Sequence, residues 1–160
     1  MSRHPDHTTP HLDRSATFPV PSVGLDGFEL GLLTVLRHFC VSFADPQSQD
    51  WMQAYGFATR TWGISAGPKA AQALFTIFDA MRRSRRSVFQ YANPACPVCS
   101  ARLTANERHL MRMLHALRRN RVGEARTEAM LLVEGNDSHE VLAAGYGFAR
   151  LFPAGMAVSG

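Results

Sequence analysis

Lysine is almost missing from this chain of 160 residues: Lys69 is the only one, and the other 16 basic residues are arginine. Arginine forks suit phosphate and carboxylate, but GC-rich codon usage produces the same bias, so it does not by itself define a binder. Cysteine is scarce too. Cys40, Cys96 and Cys99 are too few and too unevenly placed for a secreted disulfide scaffold, which points to a reducing compartment, the cytoplasm. No run of about 18 uninterrupted apolar residues occurs, because Arg37, Asp79 and Arg112 interrupt the best candidates. A membrane span is therefore excluded and a soluble chain expected. Familiar catalytic motifs are lacking as well. There is no Gly-x-Ser-x-Gly and no His-Glu-x-x-His, Gly145-Tyr146-Gly147 is too short for a phosphate loop, and Asp79, Glu107, Glu134 and Asp137 stand without a paired acid. The balance favours a non-enzymatic protein.

What is present is helical periodicity. A hydrophobic share of 46% over this length suits one domain with one core. Residues 1–24 are rich in proline, with His4, His7 and His11, and read as a disordered tail. From there Phe28, Leu32, Leu36, Phe39 and Phe43 recur at three-to-four spacing behind Asp26, which predicts a capped helix over about 27–44. A second helix is expected over about 47–61. The third begins near Ser65 and Pro68 and ends in Arg82, Arg83, Arg85 and Arg86. Ser87 to Tyr91 reads as the one strand-like run. Thr104 with Glu107 forms a capping box ahead of a fourth helix over about 105–120, and two more follow at about 124–134 and 139–152. The expectation is an all-α domain over 25–152, about six helices in a compact bundle, with a flexible tail at 153–160. Tyr55-Gly56-Phe57 and Tyr146-Gly147-Phe148 echo one another, which is read as two glycines placed where neighbouring helices cross closely.

Cys96-Pro97-Val98-Cys99, between the third and fourth helices, is the most informative local feature. Two thiolates two residues apart can bind one metal from the same side, and zinc accepts sulfur and imidazole in a tetrahedral set. The motif resembles the zinc knuckles of zinc ribbons and treble clefs, which implies a structural zinc. The second Cys-x-x-Cys of a ribbon is missing, so the other ligands must come from elsewhere: Cys40 first, then His109, with His38, His115 and His139 behind. His38 and Cys40 lie about 200° apart around their helix and cannot share one ion. Cys40 also reads as an ordinary buried thiol.

A strand, Cys-Pro-x-Cys and then a helix also resemble the active-site turn of glutaredoxins and thioredoxin-like proteins. That resemblance implies a dithiol redox protein or redox sensor in which Cys96 is the nucleophile and Cys99 resolves the mixed disulfide. The predicted helix starts five residues after Cys99, and no βαβ pattern surrounds the motif.

Charge is uneven. Residues 82–126 carry a balance of +9 and the remainder −5, the asymmetry expected of a binder of nucleic acid or of an acidic protein. Arg82, Arg83, Arg85, Arg86, Arg108, Arg112 and Arg119 are the candidate binding residues. A solvated helix face explains the same run. The leading expectation is a zinc-binding regulatory or adaptor protein with an arginine face; the alternative is the dithiol reading.

Overall fold

A computed structural model describes residues 17–158. It is predominantly helical. Strand β1 (Thr17–Pro19) and a 3-10 turn (Val20–Val23) lead into α1 (Gly27–Ala44), followed by α2 (Trp51–Ser84), α3 (Pro97–Ser100), β2 (Arg102–Thr104), α4 (Ala105–Arg118), α5 (Val122–Leu132) and α6 (His139–Leu151).

α1 spans the predicted range. Asp26 caps it by accepting the Glu29 amide, and the Glu29 carboxylate accepts the Asp26 amide in return, so its start is a full capping box. Leu32, Leu33, Val35, Leu36 and Phe39 are buried along it. α1 is also the one helix among the described residues with the length and mean hydropathy, 1.3 over 18 residues, of a membrane span. Its apolar side faces the bundle core, and Arg37 within it is buried in an ion pair with Glu107.

The second and third predicted helices are two arms of α2. At Gly63 the backbone takes φ 86° and ψ 168°, a left-handed value open to glycine at little cost. The hydrogen-bond ladder breaks there and resumes at once, so the second arm starts at residue 64 and Pro68 lies inside it rather than at its head. The first arm starts at Trp51 rather than 47, because Pro46–Ser48 forms a separate 3-10 turn and Gln49 is left-handed. The two arms cross tightly: a Cβ on Gly67 would sit 2.5 Å from the Ala58 carbonyl oxygen.

Close crossings do not fall on the glycines singled out from the repeated Tyr-Gly-Phe. A Cβ on Gly147 would meet nothing within 4 Å, and one on Gly56 only the side chain of Arg60. The tight positions are Gly67, Gly145 against Leu117, and Gly31 against the Trp62 ring.

Ser87 to Tyr91 joins no sheet and is irregular, with a bend at Ser87. Its polar groups are taken by side chains: the Ser87 amide donates to Glu134, the Gln90 amide to Asn106, and the Gln90 carbonyl accepts from the Thr104 hydroxyl. The two strands among the described residues are β1 and β2, antiparallel with Phe18 opposite Leu103. Residues 17–23 of the expected tail are therefore folded, and residues 1–16 lie outside the described residues. At the other end, Ala154 donates its amide to the Arg118 carbonyl and Val158 packs on the core, so residues 153–158 are docked rather than a free tail.

Candidate functional site

Asn93 starts the cysteine turn. Its side-chain oxygen accepts the Ala95 amide at 2.9 Å and its carbonyl accepts the Cys96 amide, the local hydrogen bonding that makes asparagine a turn former. Cys96 then caps the single helical turn α3 with extended backbone, and Pro97 supplies a fixed φ at the first helical position. A helical turn thus begins at the motif itself, not only at Thr104. The Cys99 amide donates to the Cys96 sulfur at 3.2 Å, and the Ser100 amide to the Cys96 carbonyl. The two Cα atoms are 5.2 Å apart and the sulfurs lie at disulfide distance. Both cysteines are half-buried, and Val98 between them is 78% exposed.

Both feet of this turn rest on one buried ion pair. Arg37 donates Nε to Glu107 Oε1 at 2.8 Å, Nη1 to the Ser100 carbonyl at 2.8 Å and Nη2 to the Arg102 carbonyl at 2.7 Å. Glu107 accepts the Ala92 amide on the near side of the turn and the Thr104 amide on the far side. The capping-box glutamate of α4 therefore also fixes residues 92 and 100–104. Sequence reasoning found the capping box but not Arg37's part in it. A lone arginine in the apolar run of α1 was the available signal.

Two of the clefts along α1 lie beside the cysteines. One, of about 520 Å³, runs between Leu30, Leu33 and Val41 of α1 and Asn93, Pro94 and Ala95 of the cysteine turn. The His38–Asp50 pair, Nδ1 to Oδ2 at 2.6 Å, also lines it. The other cleft contains Cys40, with Phe43, Phe78 and Tyr91.

The expected metal ligands are not gathered. Among the described residues no group of three or more histidine, cysteine or acidic side chains could hold a metal ion. Cys40 is 3% exposed, and burial foremost pushes its thiol far above the ordinary cysteine range. His109 is turned to Glu128, Nδ1 to Oε2 at 2.6 Å. Helix geometry separates Cys40 from His38 as their angular spacing implied, each facing a different cleft. Among the described residues Cys96 and Cys99 remain as half a site, and the donors around them do not make up a four-ligand zinc centre.

The arginines are dispersed and mostly engaged. Arg82 lies over the Phe43 ring, 3.8 Å from its centre, and pairs with Asp79. Arg83 pairs with Asp79 and Glu140, and Arg112 with Glu128. Arg85 turns inward to the Leu132 carbonyl and Asn106. Arg108 covers Phe18. Arg119 joins Arg118 and His115 around Glu29 and Asp26. Only Arg86 of the seven has an exposed guanidinium with no partner among the described residues. The charge excess along the sequence is therefore not one continuous free face.

Fold and site together define a helical bundle that carries a clamped Cys-Pro-x-Cys turn. Compared with protein-family models, curated proteins and solved structures, the chain has no significant match in any of the three.

Proposed function

We propose that the chain is a dithiol redox protein in which Cys96 and Cys99 cycle between two thiols and one disulfide. The observation that carries this reading is the pair of sulfurs at disulfide distance on a half-exposed turn whose feet are pinned by Arg37 and Glu107. An anchored turn keeps the two sulfurs within reach of each other in both states, so the pair can close without unfolding the bundle.

The Cys99 amide, donating to the Cys96 sulfur, stabilises negative charge there. Cys96 is accordingly the nucleophile and Cys99 the resolving thiol. The Cys96 thiolate attacks one sulfur of a partner disulfide, whose other sulfur leaves as thiolate. Cys99, losing its proton, then attacks Cys96 and releases the second partner thiolate. Two electrons pass to the partner, and the intramolecular disulfide forms.

The test is a redox titration against dithiothreitol, read by alkylation and mass spectrometry on purified protein, with zinc measured in the same sample. A midpoint between about −180 and −300 mV, with both thiols appearing together, is expected of a cycling pair. A much lower midpoint would mark a static bond. One zinc per chain that shields both thiols from alkylation would instead establish the metal reading and would require ligands beyond those described.

A further inference from the structure

We propose that the cleft between α1 and the cysteine turn docks the apolar residues beside the reactive cysteine of a partner protein, so that the dithiol exchanges with protein thiols rather than with small anionic thiols. This rests on the dithiol reading and adds its substrate class. Asn93, Pro94 and Ala95, just before Cys96, and Ser100, just after Cys99, form one wall of the cleft. Neither cysteine lines the cleft itself, but the residues next to both do, so a chain joined to Cys96 starts within a few residues of this concavity.

Next comes the lining. Leu30, 42% exposed at the rim, together with Val41, Pro94 and Ala95, offers apolar surface above the buried Leu33, and covering it is favourable at about 25 cal/mol per Å². His38, Asp50 and Asn93 line it too; each uses one side-chain atom within the fold, Nδ1, Oδ2 and Oδ1, and keeps a second polar atom for the backbone of an extended peptide.

Charge excludes the main competitor. A small thiol such as glutathione carries carboxylates that need a free cation. The only arginine in the lining is Arg37, and its guanidinium is already committed to Glu107 and two carbonyls. His38 is held by Asp50. An apolar peptide matches this surface and an anion does not.

In the oxidised chain the step runs in balance as follows. A partner thiolate attacks the Cys96 sulfur, the Cys96–Cys99 bond breaks, and Cys99 leaves as thiolate and takes a proton. A second partner thiol, losing its proton, attacks the partner sulfur in the mixed disulfide and releases Cys96. The partner is oxidised by two electrons and this chain reduced.

The experiment opens the disulfide of the full chain with four reductants: dithiothreitol, glutathione, a peptide with one cysteine between leucine and valine residues, and the same peptide with serine and glycine at those places. Initial rates are read by alkylation trapping and corrected for each thiol's ionised fraction. Relative to dithiothreitol, the apolar peptide should react about tenfold faster than the polar peptide or glutathione, the gain from covering roughly one leucine side chain in part. Leu30→Glu and, separately, the exposed-site change Ala95→Glu should each remove that advantage, while Ile64→Glu, remote from the cleft, should leave the ratio intact. Equal rates for both peptides and glutathione would overturn the cleft proposal while leaving the dithiol reading standing. A pair that even dithiothreitol fails to open would overturn both.

Discussion

Two capping-box glutamates are buried in this protein, and they serve different ends. Glu29 opens α1 and is gripped by Arg118, Arg119 and His115 from the far end of α4. Glu107 opens α4 and is gripped by Arg37 from the middle of α1. α4 is thus clamped at both of its ends to α1, at the start and the middle of that helix, by mirror-like exchanges of charge. The Glu29 cluster holds helix to helix and, through the Arg118 bond to the Phe152 carbonyl, the end of α6. The Glu107 cluster does the same and also carries the feet of the cysteine turn. A helix-terminal carboxylate can therefore be purely architectural or support a reactive loop, depending on which amides and carbonyls lie within reach of its partner arginine.

The largest effect that would break this comparison is expected from Arg37→Met and Arg118→Met. Arg37→Met leaves buried Glu107 without its guanidinium partner, at a cost of about 3–5 kcal/mol, whereas Arg118→Met leaves Glu29 with Arg119 and His115 and should cost less; both are measurable as a fall in the urea midpoint. Only Arg37→Met should also speed alkylation of Cys96 and Cys99 in the reduced protein. Equal acceleration in both variants would mean that the turn is not held by the Glu107 cluster in particular.

Next in size is the response to acid. Burial raises the pKa of Glu29, but hydrogen bonds from His115, Arg119 and the Asp26 amide outweigh it and leave the carboxyl below its ordinary range. Asp26 is likewise held low, burial being outweighed by the Glu29 amide and by Arg118 and Arg119. Both folded-state values lie below the unfolded ones. Their stabilisation is therefore complete above the unfolded carboxylate range, near pH 4, and is lost as pH falls through the lower folded values. Glu29→Gln should flatten the acid limb of a stability–pH profile. An unchanged slope would remove the cluster from the account.

Smaller again is Thr104→Ala, which removes the cap of α4 at about 1 kcal/mol and frees the Gln90 carbonyl. It should lower the melting temperature by a few degrees and leave the redox midpoint in place. Least of all, Cys40→Ala should leave the midpoint of the Cys96–Cys99 pair unchanged, since Cys40 faces the other cleft. A shifted midpoint would show that this thiol communicates with the pair.

Much of the fold was legible because its signals are local. The α1 boundaries, the α4 capping box and the three-to-four stripes follow from spacing within one element, and the structure places them where the pattern did. Gly63 was harder to read. A pattern shows where two helical stretches meet but not that one glycine at positive φ can join them without a loop. The Ser87–Tyr91 run misled because β-branched and aromatic residues mark extended backbone, whereas a strand also needs a neighbouring edge, and here side chains of Glu134 and Asn106 take that place.

The cysteine motif was likewise visible from the start, together with both chemistries that its spacing allows. Which donors surround it was not. Arg37 and Glu107 are 70 residues apart, and the angle at which α1 and α4 cross brings them together while turning Cys40 and His109 to other partners. The arginine excess was plain as a count, but several of those guanidiniums meet acids distant in the chain and others a ring face or a carbonyl. By itself the sequence determined the helices, their caps and the two-thiol turn, because backbone hydrogen bonding and hydrophobic period act over a few residues. Only the tertiary structure decided which charges meet and what the thiols face, because those contacts depend on how whole helices pack.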